Sequence, residues 1–460
     1  MTSVVNFIMI LSADIGTTSL KAAFIDLDGR LIAFSRFAYP SGCAAEVWEK
    51  AFERVLENLR AQKPDLKIDG LCISGNGPTL VPVSREGEAL PPLYWFNDAR
   101  KTATKSLFLP HVVSFREQAP SEYERVEFFF SSHEWLASKL GANSFTALPQ
   151  AAYEPYYWDD EQRRLSGLDM EKFPPFIKMG SLAGKVSPRA AGLYGSLGLK
   201  SGTPIVAGAP DFISALIGTG VLKSGDVCDR AGSSEGINFC ARTAADAVEA
   251  GASRGTCSLR ILPHVKKGFV NISALIPVSG RLFDFYKTYC NQESRSYEEL
   301  LDELIPSIAD TNIPGRQNDK GAFGRSVLCA IGFSVRRAVE ALNSRGFPVK
   351  AMRVSGGQGK NPLWNQLKAD ITGVPLLIPE IRDGELAGNA VLAACALENH
   401  PAADEDFERV LDAAAGRMIR IREEYSPRVE IAPFWEERYT QYLKQDGGQW
   451  EFTNEGFLSA

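Results

Sequence analysis

The stretch "LSADIGTTSLKAAFIDLDGRLIA", residues 11–33, begins and ends as a β-strand. Between its apolar halves lie Asp14, Gly16, Thr17, Thr18, Ser19 and Lys21, so a turn crowded with donors surrounds one carboxylate. Asp28-Gly29 adds a two-residue hairpin signal of type I′. Alternation predicts strands over residues 8–13, 22–27 and 30–37. Residues 45–61 read as an amphipathic helix with Val47, Phe52, Val55, Leu56 and Leu59 on one face. "IDGLCISGN" is the next strand, and it runs into a Gly/Asn/Pro loop. Strands and helices alternate along most of the chain, which argues for the α/β class.

The chain has 460 residues, 45% of them hydrophobic, enough for two or three domains with their own cores. A net charge of −6 gives no global basic field, so neither nucleic acid nor an anionic membrane is an expected partner. Eight scattered cysteines form no CxxC pair and read as reduced thiols in a core. Four dispersed histidines argue against a zinc site. The N-terminal "MTSVVNFIMILSADIG" lacks a basic n-region and is shorter than a spanning helix, so it reads as a first strand in a cytoplasmic protein, with Met9 an alternative start.

Three turns could hold phosphate or nucleoside. In "SADIGTTSLK", Gly16 allows a tight turn into which the amides and hydroxyls of Thr17 and Thr18 point, and Lys21 adds positive charge. Asp14 would repel phosphate unless a divalent cation such as Mg²⁺ stood between them, held through its water. The plain alternative is a hairpin turn stabilised by threonine hydroxyls. "RAGSSEG" (230–236) offers Gly232 and Ser233 in a second donor turn, although Gly/Ser hairpins are common. The strand–turn–strand pattern at 224–241 repeats the opening theme and places a boundary near residue 222. In "VSGGQGKNPLWNQLKADITG", Gly356 and Gly357 permit close approach of a flat ring. Asn361 caps the following helix and Pro362 opens it. Leu363, Trp364, Leu367 and Ile371 form its buried face, and Gly373 stops it. A simple βα connection would look the same. Further helices are expected at 281–304, 326–345 and 384–399, and residues beyond 440 form a polar tail.

Asp211, in "IVAGAPDFISALIGTG", stands at a helix start after small residues. It is either a capping aspartate or a base kept ionised by the helix N-terminus, with room beside it for a hydroxyl. "LYWFNDAR" (93–100) gathers Trp95, Asp98 and Arg100, an aromatic plane with a carboxylate and a guanidinium that suits a sugar. An Asp–Arg pair in a surface turn is the simpler reading.

These segments, in this order, resemble the FGGY carbohydrate kinases of the actin/Hsp70/hexokinase-type ATPase superfamily. "DIGTTSLKAAFIDLDG" is similar to the first phosphate motif, "GAPDFISALIGTGVLKSGDV" to the catalytic-aspartate segment and "AGSSEGINF" to the second phosphate motif. "SGGQGKNPLWNQLKADITGVPL" is similar to the adenosine motif, and "GRSVLCAIGFSVRRAVEAL" to the C-terminal signature helix. The resemblance implies two actin-like (ribonuclease H-like) domains with a nucleotide cleft between them: 1–222 for sugar and catalytic Asp, 223–440 for nucleotide, then a tail at 441–460. It implies ATP and Mg²⁺, with Asp14 holding the metal through water and Thr17, Thr18, Lys21, Gly232 and Ser233 on phosphate. Gly356, Gly357, Gln358 and Asn361 would face the nucleoside, and Asp211 would be the base. Asn76, Trp95, Asp98, Arg100 and Phe212 would face a small sugar or polyol. Family members often pair as homodimers.

Xylulose kinases look nearest within the family, through "WFNDAR" and residues 173–211. They usually carry a Gln-Met-His type loop where this chain has "SGNGPTL", and an amide where it has Phe212. Both departures remove hydroxyl-selecting groups and point to a changed substrate. Two other functions fit parts of the pattern: a non-catalytic sugar or nucleotide sensor, and a conformational actin-like ATPase.

Overall fold

A computed structural model describes residues 8–95, 104–232, 235–242, 259–276, 279–308, 320–399 and 404–446, with short strands at Phe452–Thr453 and Gly456–Phe457. The chain divides into two compact units. The first comprises residues 1–220, 265–267 and 383–420, and the second 221–264, 268–382 and 421–460.

The first unit is built on a six-stranded sheet. Strands β1 (Met9–Ile15), β2 (Ser19–Asp26) and β3 (Leu31–Ala38) form an antiparallel meander, and β4 (Gly70–Gly75) adds to the other side of β1 in parallel. Pro204–Val206 and Leu182–Lys185 complete the order beyond β4. Every residue of β1 and β4 is buried, as expected of strands covered on both faces. Helix α1 (Ala45–Gln62) covers β2 and β3 with Trp48, Phe52, Val55, Leu56 and Leu59.

Asp28-Gly29 does not form a type I′ turn. Only Gly29 has positive φ (+76°), and the loop has three residues, closed by Asp26 N to the Arg30 carbonyl at 3.2 Å. The Asp26 carboxylate accepts from the amides of Asp28 and Arg30 at 2.9 Å each and so stabilises the longer loop.

The helix Gly384–Asn399 packs on β1, β4 and the helix Asp211–Gly218, within the first unit. The single cut near residue 222 expected from sequence therefore misplaces residues 383–420. The physical reason is composition: Leu386, Ala390, Val391, Leu392, Ala393 and Ala394 are all fully buried, so this helix is apolar around most of its circumference and needs cover on several sides. Small residues allow the contact. A Cβ on Gly388 would lie 1.9 Å from the Ser214 carbonyl, and one on Gly218 1.9 Å from that of Gly384.

The second unit repeats the plan. Val227–Ala231 pairs antiparallel with Glu235–Ala241, which pairs antiparallel with Val270–Ile276, while Met352–Ser355 adds in parallel beside Val227–Ala231. Leu259–Pro263, Leu376–Pro379 and Ile421–Tyr425 extend this sheet to seven strands. The helix Lys320–Asn343 covers Glu235–Ala241 and Val270–Ile276.

Two helix expectations change. The single helix read at 281–304 is two, Ser279–Tyr289 and Tyr297–Leu304. Asn291 turns left-handed between them (φ 53°), and Ser296 with Glu299 forms a capping box that starts the second. The expected tail at 441 begins too early, because the helix Ala432–Asp446 continues past it and buries Tyr442 against Phe333. Among the described residues no helix is long and apolar enough to cross a membrane.

Candidate active site

The opening hairpin of the first unit brings Asp14 to the end of β1, opposite Lys21 on β2 and beside Ser74 on β4. Gly16 makes the turn tight. Its amide donates to the Ser19 carbonyl at 2.9 Å, its carbonyl accepts from Tyr39 Oη at 2.7 Å, and a Cβ would stand 2.9 Å from Ser19 O. Thr17 is half-buried and Thr18 exposed, and among the described residues neither side chain makes a hydrogen bond within the protein.

A buried chain of hydrogen bonds joins this turn to the Asp211 helix. Ser214 Oγ donates to Asn389 Oδ1 at 3.0 Å. Asn389 Nδ2 donates to the Ala13 carbonyl at 2.7 Å and to Ser74 Oγ at 2.9 Å. Ser74 Oγ donates to Asp14 Oδ1 at 2.7 Å. Ser74, Ser214 and Asn389 are fully buried, so each bond forms away from competing water. Gly75 bridges to Pro210, which brings the start of the Asp211 helix alongside the end of β4. Asp211 is the first residue of that helix, after Pro210 at the cap, and its Oδ1 accepts from the Phe212 amide at 2.7 Å.

The charges in this corner are lopsided. Burial pushes the Asp14 carboxyl from 3.8 up to about 7, and the carboxylates of Glu385 and Asp211 push in the same direction, against Lys21 and the Ser74 bond. Lys21 Nζ lies 2.9 Å from Asp383 Oδ1. Burial opposes its charge, but Asp383, Glu385 and Asp14 together outweigh burial and hold its pKa above the ordinary lysine value. Asp383, Glu385 and Asn389 arrive from the start of a helix more than 360 residues away in sequence.

Asn76, just past β4, donates its amide to the Ile15 carbonyl at 2.8 Å. Its Oδ1 accepts from Thr79 Oγ1 and Ser132 Oγ, each at 3.3 Å. Its Nδ2 is buried and has no partner among the described residues, so this donor needs an acceptor. Phe212 is half-buried beside Asp211. Trp95 is not an open platform. It is buried, and its ring meets Trp48 edge-on at 5.6 Å inside the core. An aromatic flanked by apolar residues packed inward, and the sequence reading of a stacking surface is corrected accordingly. Asp98, Arg100 and Ser233 lie outside the described residues.

In the second unit, Gly232 and the Gly356–Asn361 turn follow the ends of two adjacent parallel strands, with Arg230 opposite Ser355. Gly356 needs its glycine: φ is +105°, and a Cβ would stand 2.4 Å from the Ala231 carbonyl. Gly357 is exposed, with open space where a Cβ would stand. Asn361 caps the helix Pro362–Thr372, accepting from Trp364 N at 2.9 Å, and its Nδ2 donates to Asp302 Oδ1 at 3.3 Å. Gly373 ends that helix at φ 67°. Trp364, Leu367 and Ile371 are buried as expected, but Leu363 is exposed, and Lys368 is buried beside Trp364 and Leu367.

Lys368 Nζ lies 2.9 Å from Asp229 Oδ2 and 2.5 Å from Glu235 Oε1, and all three side chains are almost completely buried. Burial and the neighbouring Glu235 hold the Asp229 carboxyl well above its ordinary value. Burial works against charge on Glu235 too, but Lys368 and hydrogen bonds from Asp229 and Ser279 keep it below the ordinary value. One proton on Asp229 leaves the trio electrically neutral.

Two family models match: the FGGY family of carbohydrate kinases, N-terminal domain, over residues 107–218, and its C-terminal domain over residues 302–397. A xylulose kinase of Bacillus subtilis is 22% identical over 84% of this chain and 87% of its own length. A probable L-xylulose kinase of Pasteurella multocida is 25% identical over 83% and 89%. Among solved structures, a gluconate kinase from Lactobacillus acidophilus aligns with a TM-score of 0.72 at 16% identity, covering 95% of this chain and 97% of that one.

Proposed function

Since this chain belongs to the FGGY family of carbohydrate kinases and is a sugar kinase, we propose that Asp211 is the base that takes the proton of the acceptor hydroxyl as the terminal phosphoryl of ATP is transferred to it. The observation that carries this reading is the buried Ser214–Asn389–Ser74–Asp14 chain, which fixes the Asp211 helix against the turn proposed to receive the phosphoryl group. Phosphoryl transfer asks the protein mainly for position and charge, and one carboxylate suffices for the proton.

Each residue has a separable task. The amides and hydroxyls of Thr17 and Thr18 bind the transferred phosphoryl oxygens, and Lys21, held by Asp383, sets positive charge beside them. Gly232 in the second unit binds further phosphate oxygens, and the open backbone at Gly357 receives the nucleoside. Asn76 Nδ2 donates to the acceptor.

The implied Mg²⁺ fits the first unit. Burial first, and then the carboxylates of Glu385 and Asp211, raise the Asp14 pKa, while Lys21 is already paired with Asp383. Among the described residues no three His, Cys, Asp or Glu side chains form a ready-made metal cage, which suits an ion bound through one carboxylate, its own water and substrate phosphate. When bound, the ion would neutralise phosphate charge; Asp14 would hold it through water.

For the acceptor, we propose a small sugar or polyol, with a pentulose such as xylulose the first to try, since relatives named xylulose kinases span most of the chain. Phe212 places an apolar ring next to the base, so the preferred acceptor differs from one recognised by an amide there. The test is ADP release from ATP and Mg²⁺ against a panel of ketoses, aldoses, polyols and sugar acids. Acceptor-stimulated release is expected. No stimulation by any member of the panel would overturn the reading in favour of a sensor.

A further inference from the structure

Gln358 sits in the Gly356–Asn361 turn, where a side chain could reach a nucleoside, but its amide is engaged within the protein. Nε2 donates to Ser279 Oγ at 2.9 Å and to the Gly232 carbonyl at 3.0 Å, and Oε1 accepts from Trp364 Nε1 at 3.2 Å. Both amide hydrogens are used, so no donor is left for a ligand. Ser279 Oγ donates in turn to Glu235 Oε2, and Lys368 grips the other oxygen of that carboxylate.

We propose that Lys368 and Glu235, acting through Ser279 and Gln358, are positioning residues that lock the Gly232 turn to the Gly356–Asn361 turn and so set the spacing at which the second unit receives a nucleotide's phosphate and nucleoside ends. The proposal rests on the nucleotide reading given above. Three observations support it. The two turns leave adjacent parallel strands and already touch on one side, where Gly356 backs onto the Ala231 carbonyl; Gln358 ties them on the other. The Gly232 carbonyl is held by a side chain from the other turn. A buried ion pair is rarely the most stable filling for a core, because desolvation offsets much of the attraction. Here the pair ends in a directional hydrogen-bond chain that an apolar filling could not supply. Gln358 thereby changes from a nucleotide contact, as read from sequence, to a brace between two contacts.

The test uses the full chain and MgADP as probe, with affinity measured by calorimetry and folding followed by thermal melting. Removing one hydrogen bond is expected to weaken MgADP about fivefold in Ser279→Ala and about tenfold in Gln358→Ala. Because the two act in series, the double variant should be no weaker than about tenfold, whereas independent contacts would multiply. Ser279→Thr, which keeps the hydroxyl, should bind within about twofold of wild type. A merely structural Ser279 would lower the melting temperature and leave these affinities multiplicative. If Ser279→Ala does not fold, Glu235→Gln replaces it in the cycle with the same expectation. A wild-type protein that binds no MgADP overturns the nucleotide reading and this proposal together. A wild type that binds it, with affinity unchanged in Ser279→Ala or with multiplying effects, overturns the brace alone.

Discussion

The two units use one scaffold with opposite electrical outcomes. In the first, the row at the strand ends is Lys21, Asp14 and Ser74; in the second, the corresponding row is Gly236, Arg230 and Ser355. Ile73-Ser74-Gly75 and Val354-Ser355-Gly356 even repeat the same small-residue exit from the parallel strand. Yet the first unit gathers Asp14, Asp211, Asp383 and Glu385 around Lys21, an excess of negative charge. The second surrounds Lys368 with Asp229 and Glu235, where burial and the neighbouring Glu235 favour the neutral form of the Asp229 carboxyl. Unbalanced buried charge is costly unless something arrives to meet it. On the proposed reading, the contrast separates a corner that receives a cation, a phosphoryl group and a hydroxyl from a corner whose charges hold parts in place.

Removing the central lysine from each unit probes that division most strongly. Lys368→Met leaves the Glu235 carboxylate buried beside Asp229 without a cation, and about 3–5 kcal/mol of folding stability should go, read as a lowered urea midpoint. A loss below about 1 kcal/mol would mean that Glu235 takes up a proton at little cost once the lysine is gone. Lys21→Met should behave differently. Its side chain is one-fifth exposed, so stability changes less, while acceptor-stimulated turnover falls on the order of 100-fold. Equal stability losses with intact turnover in Lys21→Met would erase the contrast between the units.

A smaller effect concerns pH. The folded protein keeps a proton on Asp14 up to about pH 7, while the unfolded chain loses it near 3.8. Between those values the folded state binds more protons, so this group makes metal-free stability fall as pH rises, by up to about 1.4 kcal/mol per pH unit. Burial lifts Glu134 to about 7 as well and adds a similar slope, so the comparison with Asp14→Asn isolates the effect. Melting from pH 4 to 8 should be flatter in the variant; identical slopes would place the Asp14 carboxyl in a solvated site.

What could be read from sequence was what lies close along the chain. The hairpin that pairs Asp14 with Lys21, the cap at Asn361, the stop at Gly373 and the helix beginning at Asp211 are local, set by turn chemistry and side-chain period. Ser74, Asp383, Glu385 and Asn389 reach the site only by tertiary packing, and no spacing rule links residue 14 to residue 389. Two signals did exist. Asn389 is the lone amide in the apolar run "LAGNAVLAACAL", and Lys368 falls four residues after Trp364 on a stripe otherwise apolar. A polar group on a buried face requires a partner, and each of these has one. Trp95 failed in the opposite direction: an aromatic residue beside polar ones looked like a sugar platform, and core packing claimed it.

The proposed transfer depends most on the proton acceptor, Asp211. The direct measurement pairs MgADP affinity with acceptor-stimulated ADP release in Asp211→Asn, which keeps the shape of the side chain and removes its basicity. Nucleotide affinity within about twofold of wild type, with turnover reduced on the order of 1,000-fold, is the predicted result. Turnover within about tenfold of wild type would contradict it and assign the proton to another group.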